Sequence, residues 1–193
     1  MLIGITGQIG SGKSTVASLF KKHGAFIISA DRIGKDVVEK SPALKKKLAV
    51  IFGREILTPG GRLRRRRLGD LVFSSKKSRD RLNALIHPHL LRQMDLETKQ
   101  ALQKFEMVVI DAALLLDWNW DRRLDVTILV NAPRAVKIKR LMDKGFTLKE
   151  ARQRLNAQIP YRAVRARADL VIVNSSSLSD LESKVLRIIR KLS

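Results

Sequence analysis

Gly7, Gly12, Lys13 and Ser14 stand at the spacing G-x-x-x-x-G-K-[ST] within the stretch GQIGSGKST, Gly7 to Thr15. Glycines so placed let a backbone curl until its N–H groups face a phosphate, at the positive end of the helix that follows. The backbone from Gly10 through Ser11 to Thr15 would form that cradle. Lys13 would bridge the β- and γ-phosphates, Ser14 would offer its hydroxyl to Mg²⁺, and Thr15 would meet the α-phosphate. The bare pattern also arises by chance in flexible loops; a strand before it and a helix behind it make it specific. A second residue type supports the same chemistry. MVVID, Met107 to Asp111, reads as an apolar strand ending in a carboxylate, which places Asp111 near the loop and its metal, directly or through water. The plainer alternative for Asp111 is a strand-end cap. Together the two motifs specify a Mg-nucleotide site and leave the reaction open.

Several features narrow the reaction. A guanine-reading switch would carry Asn-Lys-x-Asp after a late strand, whereas TILV is followed here by NAPR, Asn131 to Arg134. A motor usually needs a larger chain with coupled domains. A small kinase needs an acceptor site and a cover that excludes water. Asp31 follows the strand-like IIS at the edge where open α/β sheets bind ligands. A carboxylate there can accept the proton of an acceptor hydroxyl, or it can cap a helix starting near Arg32. From Arg134 to Arg167 eleven Lys or Arg stand against two acids. Arginines such as Arg140 suit a lid that neutralises phosphoryl oxygens, although any one of them alone also reads as solvated surface.

These residues need elements to hold them. LIGIT (Leu2–Thr6), AFIIS (Ala25–Ser29), MVVID, DVTILV (Asp125–Val130) and DLVIV (Asp169–Val173) read as five strands. Val16, Leu19 and Phe20 mark a helix behind the glycine loop. Leu178, Leu181, Val185, Ile188, Ile189 and Leu192 mark another at the end of the chain. Strands alternating with helices predict a parallel sheet covered on both faces, an α/β fold. Two stretches exceed simple crossovers: the helical region from about Arg32 to Phe105, and the basic region just described. In the first, Gly60-Gly61 predicts a turn, and His87-Pro88 predicts a helix start with proline in its first turn.

The chain has 193 residues, 45% of them apolar, enough for one core and against general disorder. It has no cysteine, so no disulfide framework or zinc-thiolate site. No basic leader opens it and no apolar run reaches the roughly 20 residues of a membrane span, so a cytoplasmic protein is expected. Thirty-nine Lys and Arg against 18 Asp and Glu leave a formal charge of +21. That excess reads either as a polyanionic partner, nucleic acid included, or as a solvated surface on an enzyme that handles polyanions. Nine aromatic residues supply no obvious base-stacking array. Nucleic-acid binding is therefore expected to be incidental and confined to low salt. A monomer or small homo-oligomer is expected.

Along nearly its whole length the chain resembles the dephospho-CoA kinase family. GITGQIGSGKSTVASLF, ISADRIG, GGRLRRRRL, LNALIHPHL, IDAALLLD, IKRLMDKGFT, NAQIP and ADLVIVN follow one another in the family's order. The resemblance implies a P-loop kinase core of residues 1–31, 106–133 and 168–193, a helical substrate (CoA-binding) domain over 32–105, and a lid over 134–167. It implies transfer of the γ-phosphate of ATP, with Mg²⁺, to the ribose 3′-hydroxyl of dephospho-CoA. By position it makes Asp31, Lys13 and Arg140 catalytic, with Gly7 and the backbone from Gly10 to Thr15 around the phosphates. Asn174 falls near the adenine, and Arg65, His87 and Asp111 on the substrate side. A helix-start histidine is the plainer reading of His87, and a solvated face the plainer one of the Arg62–Arg67 run. The chain departs from the pattern at Ser29, Ala113, Asp117, Lys137 and Lys144, where aspartate, proline, glutamate, glutamine and arginine are usual. A nucleoside or nucleotide kinase with the same chemistry, and a nucleic-acid-binding P-loop protein, stand as alternatives.

Overall fold

The computed structural model describes residues 1–73 and 75–192. They form two compact units, Met1–Ser29 with Thr98–Ser193, and Ala30–Glu97. The second unit begins two residues before, and ends eight residues before, the helical region drawn from the sequence.

The first unit is built on five parallel strands: β1 (Leu2–Thr6), β2 (Phe26–Ser29), β3 (Val108–Asp111), β4 (Val126–Asn131) and β5 (Leu170–Val173), in the order β2-β3-β1-β4-β5. Every β1 residue is buried, which is why that strand is an unbroken apolar run rather than an alternating one. Side chains still alternate between the faces. Ile3, Ile5, Ile128 and Val130 join Val16, Leu19 and Phe20 of helix α1 (Lys13–Lys22) in one core. Leu129 points the other way, to Leu116, Val164 and Ala168. The C-terminal helix packs on the first core through Leu181 and Val185, with Ile188, Ile189 and Leu192 at its edge. Leu178, expected on that face, is 62% exposed because it opens the helix.

The second unit holds α2 (Ala30–Glu39), α3 (Pro42–Phe52), α4 (Arg65–Phe73) and most of α5 (Lys76–Leu102). Its core gathers Val38, Leu48, Ile56, Leu68 and Val72, with Leu82, Leu85 and Ile86 against them. The turn expected at Gly60-Gly61 is present: Gly61 N donates to Thr58 O at 2.9 Å, with φ 73° at Gly61. The helix start expected at His87-Pro88 is not. Pro88 lies inside α5, which runs unbroken for 27 residues. Proline removes one i→i−4 bond there, but the apolar stripe of Leu82, Leu85 and Ile86 continues past it to the buried Leu90 and Met94. Burial along that stripe outweighs the lost bond.

Three further helices lie between β4 and β5: α6 (Arg134–Met142), α7 (Leu148–Asn156) and α8 (Tyr161–Arg165), followed after β5 by α9 (Leu178–Leu192). α7 starts on a capping box. Thr147 Oγ1 accepts from Glu150 N at 3.3 Å, while the Glu150 carboxylate accepts from Thr147 N at 2.7 Å.

Candidate active site

The glycine loop runs from the end of β1 into α1, as its residue types require. Gly10 and Gly12 sit at φ 78° and 93°, in the left-handed region that side chains disfavour. Gly12 is also packed from outside: a Cβ on it would collide with the Asn174 carboxamide. Gly12 is the N-cap of α1, no acidic residue stands in the helix's first turn, and no side chain caps it. The first-turn N–H groups have no carbonyl partner within the helix, so the loop ends in backbone donors at a positive helix end. Ser14 and Thr15 are exposed on that turn, and Lys13 is half-buried, its ammonium reaching back to Gln8 O at 3.5 Å. The Ser11 hydroxyl is fully buried and has no hydrogen-bond partner among the described residues.

Two side chains hold the loop from the side. Arg140, on α6, donates through Nη1 to Gly10 O and Ser11 O, each at 3.2 Å. Its Nη2 donates to Asn174 O at 3.3 Å and Asn174 Oδ1 at 3.2 Å. Asn174, just past β5 and buried, donates from Nδ2 to Ser11 O at 2.9 Å, and its N–H is fixed to Asn131 O at 2.7 Å. The residues expected as lid arginine and adenine neighbour are thus both engaged with the loop's own carbonyls.

Another set of contacts ties the outer turn of the loop to the segment before α8. Ile9 N donates to Gln158 Oε1 at 2.7 Å, and Gln8 Nε2 donates to Ile159 O at 3.2 Å. Sequence reading assigned no role to Gln8, Gln158 or Lys137. The available signal was a polar residue beside Ile159-Pro160, where no helical period gives Gln158 a face.

Asp111 ends β3 in register with Ile5, two residues before the glycine loop, and with Ser29 of β2. It is half-buried. Beside it Thr6 Oγ1 donates to Ala113 O at 3.4 Å, so the carbonyl of that departure from the family pattern is used locally. A hydroxyl at Ser14 and a carboxylate at Asp111 are hard oxygen donors, the type that suits Mg²⁺, which usually takes one or two protein groups and completes its shell with phosphate and water. Among the described residues no group of three or more His, Cys, Asp or Glu gathers as a metal site.

The remaining expected residues lie in the second unit. Asp31 is exposed in the first turn of α2, two residues past the end of β2. The helix begins at Ala30 rather than near Arg32, so Asp31 stands within the first turn and not at its cap. Arg65 opens α4, and its Nη2 reaches Lys35 O at 3.4 Å and Glu39 Oε2 at 3.5 Å. The Glu39 carboxyl is held below its ordinary range, first by the hydrogen bond from Lys45 and then by the charges of Lys45, Arg65 and Arg62. All five arginines of the Arg62–Arg67 run are exposed. His87 is half-buried inside α5, and burial lowers its pKa.

A glycine loop of this pattern is shared by proteins of many activities; comparison with known proteins decides among them. The family model described as dephospho-CoA kinase matches residues 1–180. The chain belongs to the dephospho-CoA kinase family. It is 37% identical to the dephospho-CoA kinase of Thermobifida fusca over 191 residues, covering 98% of this chain and 95% of that one. A protein of known structure from Thermus thermophilus superposes with TM-score 0.81 at 34% identity, covering 100% of this chain and 98% of that one. The dephospho-CoA kinase from Campylobacter jejuni superposes with TM-score 0.72 at 26% identity, covering 100% and 96%. The expected α/β P-loop kinase fold is therefore the observed one. No described helix is long and apolar enough to cross a membrane.

Proposed function

We propose that the protein transfers the γ-phosphate of ATP to the 3′-hydroxyl of dephospho-CoA's ribose, giving coenzyme A and ADP. The observation that carries this reading is the family match over residues 1–180, which includes the glycine loop that leads into α1. In the transfer the ribose oxygen forms a bond to the γ-phosphorus, and the bond from that phosphorus to the β–γ bridging oxygen breaks. Asp31 accepts the hydroxyl proton. Lys13 and the loop amides take up charge on the phosphoryl oxygens. Arg140 keeps the loop in its phosphate-accepting shape and adds positive charge beside it. Mg²⁺ would be held by Ser14 and Asp111, directly or through water, and would neutralise phosphate charge when bound.

The region 32–105, with nineteen Lys or Arg against seven acids, is proposed as the acceptor domain. Such an excess suits an acceptor that itself carries a diphosphate. Arg65 and His87 belong to this proposal, as does a lid role for residues 134–167. A cytoplasmic enzyme, working as a monomer or small homo-oligomer, completes it. The test is to incubate purified protein with ATP, Mg²⁺ and dephospho-CoA and weigh the acceptor by mass spectrometry. One added phosphate on dephospho-CoA, with none on adenosine or AMP offered in its place, is the expected result. Phosphorylation of adenosine or AMP alone would replace this reading with that of a nucleoside or nucleotide kinase.

A further inference from the structure

Lys137 lies on α6 under the glycine loop and is only 5% exposed. Its ammonium donates to Gln8 Oε1 at 2.6 Å and to Asn131 Oδ1 at 3.4 Å. Both acceptors are neutral, and among the described residues no carboxylate pairs with it. The loop presses directly on this residue: a Cβ at Gly10 would come within 2.8 Å of the Lys137 carbonyl oxygen. A buried ammonium without a counter-charge is costly. Burial, with the Arg134 guanidinium adding to it, accordingly lowers the pKa of Lys137. The hydrogen bond alone does not account for a charged residue here, since glutamine can donate to Gln8 without bringing a buried charge.

The missing counter-charge has an evident source if the loop holds a nucleotide's phosphates, the reading on which this inference rests. We propose that Lys137 is a second cation of the phosphate site, acting through the loop from beneath and tightening nucleotide binding without touching the nucleotide. Its buried charge destabilises the free protein and is compensated when polyphosphate occupies the loop. The interaction runs through protein rather than solvent, so salt screens it far less than it screens surface lysines.

Lys137→Gln keeps a donor for Gln8 and removes the charge, and Lys137→Met removes both. Lys139→Gln, at an exposed lysine two residues along the same helix, makes an equal change in net charge. MgATP affinity of each is measured by calorimetry at low salt and at about 0.5 M salt, alongside the melting temperature without nucleotide. K137Q and K137M are both expected to weaken MgATP binding by roughly three- to tenfold at either salt concentration, the size of a unit charge acting over a protein-like dielectric. Neither is expected to lower the nucleotide-free melting temperature, and K139Q loses no affinity at high salt. Affinity in K137Q equal to that in K139Q would overturn the proposal. So would a loss confined to K137M, which would assign the effect to the hydrogen bond with Gln8. Lys13→Ala, run in parallel, separates the underlying reading: if it binds MgATP as well as the unaltered protein does, the loop is not the nucleotide site and the inference falls with it.

Discussion

Arg140 and Asn174 hold each other and the same loop carbonyl. Arg140 Nη1 and Asn174 Nδ2 converge on Ser11 O at 3.2 and 2.9 Å, while Arg140 Nη2 donates to Asn174 Oδ1 at 3.2 Å. The loop must present its N–H groups to a ligand, so its carbonyls turn outward and need donors of their own. One guanidinium fork and one carboxamide supply them.

Arg140→Lys tests that brace. An ammonium is a point charge on a flexible stem and cannot span the four acceptors a planar guanidinium reaches. The variant keeps the charge and loses the geometry. Unfolding free energy in urea should fall by about 1–3 kcal/mol, the usual cost of part-buried groups left without partners. MgATP affinity should fall at least about tenfold, as binding arithmetic implies for a loss near 1.4 kcal/mol. Unchanged stability and affinity together would show that the loop holds its shape without Arg140.

Gly12→Ala meets two separate obstacles. Its φ of 93° costs an L-residue about 1–2 kcal/mol, and the new methyl group runs into the Asn174 carboxamide. Activity should fall at least about a hundredfold, in line with the sensitivity of catalysis to small displacements of positioning groups. The double variant G12A/N174A separates the two costs. It removes the collision and leaves the strained φ, so it should be more stable than the sum of the two single losses predicts. Additive losses would mean that the collision relaxes unaided.

The strands were legible because short apolar runs that alternate with helical segments fit the strands of a parallel sheet covered on both faces. Ile3, Ile5, Ile128 and Val130 are at or near zero exposure, as such a run requires. The glycine loop was legible because its residue types have few other uses. α5 was misread because Pro88 is a local signal, whereas the stripe of Leu82, Leu85, Leu90 and Met94 that overrides it is stabilised by tertiary packing. The ties from Gln8 and Ile9 to Gln158 and Ile159 span about 150 positions. No local pattern marks a polar contact between two irregular segments, so their pairing became visible only in three dimensions. Lys137 was visible as an unusual residue type, but its burial was not.

His87 gives the second unit an acid sensitivity. Burial lowers its pKa in the folded state below the unfolded value of about 6.5. The unfolded chain therefore binds the proton first as pH falls. The contribution of neutral His87 is fully present above the unfolded pKa and is lost as pH drops toward the folded pKa. His87→Gln keeps a polar side chain that cannot titrate. The drop in melting temperature between pH 7.5 and 5.5 should be smaller in the variant than in the unaltered protein. An equal drop in both would assign the acid sensitivity to other groups.

Asp31→Asn separates the two roles open to an exposed carboxylate in the first turn of α2. As a helix-end charge Asp31 contributes about 0.3–1 kcal/mol through the helix dipole, and its loss would shift melting slightly and leave turnover intact. As the group that accepts the ribose proton it is worth roughly 10²–10⁴ in rate. Asparagine preserves the shape and one acceptor oxygen but is far too weak a base. The proposed role therefore predicts a kcat lower by two or more orders of magnitude, with MgATP affinity unchanged and dephospho-CoA binding within a few-fold. A kcat within about threefold of the unaltered value, well below the general-base range, would leave Asp31 only the helix end and send the search for the proton acceptor elsewhere on the acceptor side.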